Sequence, residues 1–239
     1  MSSLGFEWRN SRCALGLQQV SLAQHLLPPP RPCCKRHDFA RSAIDLALEH
    51  HRSLILLVQS GMYGSAGTLL RPLVEASTAA WWLIYSADDA AVQSLPTTRV
   101  EGHPDDLLML RDMAADLTTV FPVIGAMVEG FKKNGSRSSK WMHQYTHGGT
   151  PQLTRRDPIG NWTDFDIALT LVRAEMFGLL APAAEGALSG KADLLSFVFD
   201  RREAIAFDLN RIFGLGELGE GERAFPEPDK RCCGDPLFS

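Results

Sequence analysis

Six cations, two histidines and two aromatic rings gather between Lys132 and Arg156 with no carboxylate among them. The whole chain carries 24 Lys and Arg against 28 Asp and Glu, a net charge of −4, so this positive charge is concentrated and not diffuse. Within the segment Arg137 and His143 form an R-x₅-H couple, a fixed cation and a titratable imidazole at one end of a short helix. RNA can be cut with those parts alone: His143 takes the proton of a ribose 2′-hydroxyl, and Arg137 stabilises charge developing on the phosphate. Lys132, Lys133, Lys140, Arg155 and Arg156 would hold the phosphate backbone, and Trp141 or Tyr145 could stack an unpaired base. The competing reading is a solvated basic helix end that Trp141 and Tyr145 anchor to the core.

His147 lies one helical turn beyond His143, so both imidazoles project from one face and could form a proton-transfer pair. The same spacing can serve zinc. Here, however, no glutamate completes an H-E-x-x-H pattern, and a third ligand such as Glu75 would have to come from afar. No metal and no cofactor is expected. Arg71 and Glu75, also one turn apart, can pair directly on a helix that otherwise reads as buried. Such a pair either fixes helix packing or, with Tyr145, lines a polar pocket. His50 and His51 are adjacent and point about 100° apart, so they form no two-ligand face. No G-x-S-x-G, P-loop or dinucleotide fingerprint is present.

The elements that must position these groups are helical. Asp38 is the expected N-cap of a first long helix, along which Ile44, Ala47, Leu48, His51, Leu54, Ile55 and Val58 recur until Gly61. A second helix is expected from Gly64 to Ala87, kinked at Pro72, which cannot donate to the Thr68 carbonyl. His103-Pro104-Asp105-Asp106 reads as a helix start, continued by Leu107, Leu110, Met113, Ala114, Leu117 and Phe121 before Pro122. A shorter helix is expected over Ser138 to Thr146, ended by Gly148 and Gly149. Thr163 caps another, whose inward stripe is Phe165, Ala168, Leu169, Val172, Met176 and Leu179 and whose regular length Pro182 should limit. The last spans Lys191 to Phe213. No stretch alternates with period two, and the expectation is an all-α bundle of five to seven helices with kinked long members.

Three regions follow. Residues 1–37 read as an irregular Pro-rich segment, with at most a short helix over Cys13 to Leu27 before LLPPPRPCCKR. Residues 38–214 form the bundle, and residues 215–239, rich in Gly, Pro and charge, read as a disordered tail. The five cysteines sit in the terminal segments, without disulfide-framework or zinc spacing. Nowhere do 18 apolar residues run together, and the start of the chain lacks a secretory pattern, so no membrane contact and a cytoplasmic location are expected. The acidic balance excludes binding of nucleic acid by a broad basic field and leaves local contact.

Two segments, GSAGTLLRPLVEASTAAWWLIYSA and KWMHQYTHGGTPQLTRR, together resemble an uncharacterised bacterial domain-of-unknown-function family of small helical proteins, over roughly residues 38–214. That family is distantly similar to HEPN-type helical proteins, among them RNA-cleaving toxins and abortive-infection proteins that act as dimers through an R-x₄₋₆-H motif. The resemblance places that motif on Arg137 and His143. It departs at Ser138, where those nucleases usually carry Asn, Asp or His. It implies an RNA-acting or phage-defence protein, metal-independent and possible as a homodimer. The alternatives are a non-catalytic helical interaction module and, third, a metal-binding protein using the histidine pair.

Overall fold

The computed structural model describes residues 2–29, 34–95, 110–121, 144–147, 149–155 and 162–213. Among them are nine helices and no strand: α1 (Ser2–Leu26), α2 (Lys35–Gln59), α3 (Tyr63–Thr68), α4 (Leu70–Tyr85), α5 (Asp89–Ser94), α6 (Leu110–Val120), α7 (Thr150–Thr154), α8 (Asp164–Ser189) and α9 (Ala192–Phe213). The expected all-α bundle is what forms, with six helices of eleven residues or more.

α4 is the centre. Leu70, Leu73, Val74 and every residue from Ala76 to Ile84 are buried, because α4 packs on α2, α8 and α6 together. A helix apolar on all sides needs partners on all sides. Two of its polar groups bond across to α8: Ser77 Oγ donates to the Phe177 carbonyl (2.9 Å) and Trp81 Nε1 to the Leu180 carbonyl (2.8 Å). Trp81 stacks on Tyr85, and both rings meet the edge of Phe121 where α6 ends. Met113, Ala114 and Leu117 bring the inner stripe of α6 against this cluster.

The C-terminus of α4 is closed by a buried cation. Arg36, 2% exposed, donates to the carbonyls of Leu83 (2.7 Å) and Ala87 (2.6 Å) and pairs with Asp89. That contact explains why α2 begins earlier than its sequence pattern suggests. Cys34 is the N-cap, and Asp38, expected there, lies inside the first turn where its charge still complements the helix dipole.

Other boundaries also move. The N-terminal segment is helical from Ser2, well before Cys13, and buries Cys13, Val20 and Ala23 against the bundle. Burial pushes the Cys13 thiol up to about 11, so it is inert at neutral pH. The expected second helix divides at Leu69, three residues before Pro72. Pro72 sits in the first turn of α4 because it cannot donate to the Thr68 carbonyl four residues back, although the backbone at Leu69 stays helical (φ −79, ψ −12).

α8 opens on Thr163, the expected N-cap, which forms a full capping box: its hydroxyl accepts from Asp166 N while the Asp166 carboxylate accepts from Thr163 N. It then runs through Pro182 to Ser189 and ends on Gly190 at φ 65. Pro182 does not limit it, because the helix is clamped on both sides of the proline's missing bond by Ser77 and Trp81 donors from α4. α8 is long and apolar enough by length and composition to cross a membrane, and 72% of its most apolar window is buried inside the bundle. The expected helix start at His103, the Pro122 kink, most of the Ser138–Thr146 helix and the 215–239 tail lie outside the described residues.

Candidate functional site

The root of the cation-rich segment is seated on the α3–α4 junction. Pro72 has no amide hydrogen, so the Thr68 carbonyl lacks its helical donor. Thr146 Oγ1 supplies one at 3.4 Å. The two segments that carry the family resemblance thus meet at a backbone defect that one of them creates.

Tyr145 follows from the same docking. Its ring is fully buried against Gly67, where a Cβ would stand 3.0 Å from Tyr145 Cδ1 and 3.3 Å from Trp162. Glycine is required here for close approach, not for backbone angle. Tyr145 meets Trp162 edge-on at 5.5 Å, and Trp162 leans on Tyr63 at 6.1 Å. Tyr63 in turn accepts a hydrogen bond from Arg9 of α1.

Arg155 ties this aromatic group to α8. Its Nη1 and Nη2 form a two-pronged pair with the Asp166 carboxylate at 2.7 and 3.0 Å, its guanidinium lies 4.8 Å over the Trp162 ring, and it donates to the Tyr145 hydroxyl. Burial pushes the Asp166 carboxyl up, but hydrogen bonds from Arg155 and Thr163 outweigh it and hold the group below the ordinary carboxylate range. The Asp166 bond raises Arg155 further, and burial raises Tyr145, so all three keep fixed protonation states at neutral pH.

Arg71 and Glu75 lie on α4, one and two turns beyond Gly67. They pair directly, Arg71 Nε to Glu75 Oε1 at 2.7 Å, with 27% and 38% of their side chains exposed. The pair is therefore at a rim and not in the core. His147 is exposed immediately after Thr146.

Of the residues singled out by sequence, Tyr145 and Arg155 fall in this site, His147 follows Thr146 in the chain, and Arg71 and Glu75 lie further along α4 from Thr68. Arg137, His143, Lys132, Lys133, Lys140, Trp141 and Arg156 lie outside the described residues. Two expected roles change. Arg155 spends its fork on Asp166, which leaves little of it for a phosphate, and Tyr145 is enclosed, so no base can stack on it. Among the described residues no three His, Cys, Asp or Glu side chains gather as metal ligands.

Sequence reasoning passed over Gly67, Trp162 and Asp166. Asp166 was visible as a first-turn acid of a capped helix, but nothing in the spacing ties it to Arg155. The short helix α7, Thr150–Thr154 with Pro151 in its first turn, carries Arg155 back toward Asp166.

Fold and site together define an all-α bundle that anchors one end of a cation-rich segment through a guanidinium–aromatic buttress. Residues 44–203 match a family of unknown function (DUF6988), and the chain belongs to that family. No curated protein and no solved structure matches it.

Proposed function

We propose that the protein acts on RNA in the cytoplasm as a HEPN-like, metal-independent ribonuclease of the defence or toxin type, working as a homodimer. In this reading His143 is the general base, Arg137 stabilises charge on the phosphate, and His147 serves as the second proton-transfer group. The observation that supports it is the anchorage itself: Thr146 and Tyr145 pin a carboxylate-free basic segment to the α3–α4 junction, with His147 exposed. A catalytic segment needs such a fixed root to hold its groups against a substrate. The test is cleavage of a single-stranded RNA by the purified chain with and without a chelator, alongside His143→Ala. Cleavage indifferent to chelator and lost in His143→Ala is expected; equal cleavage by both proteins would remove His143 as the base.

A second reading is a non-catalytic helical interaction module. It is favoured by the pairing of Arg155 with Asp166 and Tyr145 and of Arg71 with Glu75, which gives each described charge in the site a structural task. Absence of both RNA cleavage and RNA binding, with intact helicity, would favour it.

A further inference from the structure

Where α1, α2, α8 and α9 meet, a polar cluster lies inside the bundle, apart from the groups that the proposed RNA site uses. Arg12 of α1 pairs with Glu175 of α8 and Asp208 of α9, and Arg201 of α9 pairs with the same Glu175. Two guanidinium groups thus share one buried carboxylate. Beside them lies a cavity of about 20 Å³, room for about one water, whose polar lining is Gln19, His51, Glu175 and Arg201. Two atoms of that lining, Gln19 Oε1 and Arg201 Nε, are buried with no hydrogen-bond partner among the described residues. Gly178 completes the wall: a Cβ at that position would stand 2.2 Å from His51 Nδ1.

The two orphaned atoms define what can occupy the cavity. Arg201 Nε–H can only donate and Gln19 Oε1 can only accept, so an occupant that satisfies both must accept and donate at once. A halide cannot donate, and a metal cation cannot accept. Charge points the same way. Arg12 and Arg201 balance Glu175 and Asp208, while burial, with the nearby Arg201, lowers the His51 imidazole to about 4 and keeps it neutral. An added ion would unbalance a buried cluster that is neutral as it stands. A wholly apolar cavity stays dry, but one lined by a carboxamide, an imidazole, a carboxylate and a guanidinium offers a water its partners.

We propose that the cavity binds one ordered water, which accepts a hydrogen bond from Arg201 Nε and donates one to Gln19 Oε1, so joining α9 to α1. Its second proton has the Glu175 carboxylate, in the same lining, as acceptor. The water thereby holds the Arg201 guanidinium in the orientation that turns Nη2 to Glu175, and acts as a positioning link in the buried ion-pair network. It is not what docks α1. Trp8, Leu17 and Leu27 pack on the core, and Cys13, Val20 and Ala23 are buried in it. A variant without the water therefore keeps its fold.

The test is a high-resolution crystal structure of the full chain, repeated on crystals soaked in bromide and on the Gln19→Leu variant. The wild type should show one peak within roughly 2.7–3.2 Å of both Gln19 Oε1 and Arg201 Nε. No anomalous bromide signal should appear there. In Gln19→Leu the peak should be lost, and the folding equilibrium constant from urea unfolding should fall roughly tenfold while helicity is unchanged. A dry cavity in the wild type, side chains that rotate to bond each other directly, or a bromide peak would each overturn the proposal. So would an undiminished peak in Gln19→Leu. If that variant fails to fold, the wild-type and bromide maps decide by themselves.

Discussion

Thr146 donates its hydroxyl to the carbonyl of Thr68, the oxygen that Pro72 deprives of a helical partner. This bond couples an imperfection inside the central helix pair to the docking of a distant segment. A double-mutant cycle reads the coupling. Thr146→Val should cost about 1 kcal/mol in urea unfolding. In a Pro72→Ala background, where residue 72 regains an amide donor for Thr68, the same change should cost less than half as much. Equal cost in both backgrounds would show that the bond contributes nothing specific.

Gly67 is required by its neighbours. Gly67→Ala places a methyl 3.0 Å from Tyr145 and 3.3 Å from Trp162, so one of the two packed rings must give by a few tenths of an ångström. The expected destabilisation is about 1–3 kcal/mol, with a change in the near-ultraviolet dichroism of the displaced aromatics. Gly67→Ala should be milder in a Tyr145→Leu background, and thermal melts of the four proteins decide it.

Asp166→Asn removes the charge that holds Arg155 and weakens the capping box at once. A loss of about 2 kcal/mol is expected at neutral pH. Because the folded carboxyl lies below its ordinary value of 3.8, its contribution is fully present above that value and disappears as pH falls through the depressed one. Wild type and Asp166→Asn should therefore converge in stability in strong acid; curves that stay parallel down to that range would show that Asp166 carries no such linkage.

His51 acts at milder pH. Burial and the nearby Arg201 lower its imidazole from 6.5 to about 4, while Glu175, Arg12 and Asp208 complete the charged surroundings. The unfolded chain then binds the extra proton first, so stability is complete above about pH 6.5 and falls as pH drops toward 4. The loss across that window is about 3 kcal/mol. Replacement His51→Gln should flatten this part of the stability curve, and an unchanged slope would assign it to other groups.

Gly178→Ala should be among the most damaging small changes in the chain. Its methyl would overlap the His51 ring, 2.2 Å from Nδ1, and neither α2 nor α8 can retreat without opening the core. A loss of about 3 kcal/mol is expected from denaturant unfolding. His51→Ala should restore much of it by vacating the same space.

What the sequence determined by itself is what short-range periodicity and end chemistry encode. The all-α class, the inner stripe of α2, the Thr163 cap and the Arg71–Glu75 pair all depend on residues within about a turn or two of one another. The buried face of α8 departs from the expected stripe: Phe165 is 55% exposed, and Ile167, Leu171, Ala174 and Phe177 turn inward, because a helix apolar on most sides leaves its inner face to its neighbours. Tertiary structure decided the rest. That α1 extends to Ser2, that Tyr145 is enclosed, that Arg155 is claimed by Asp166 and that Arg12 bridges Glu175 and Asp208 are contacts between helices. No repeat or motif spacing announces them, because which buried charge finds which partner is set by how the helices pack and by the cost of leaving either one alone.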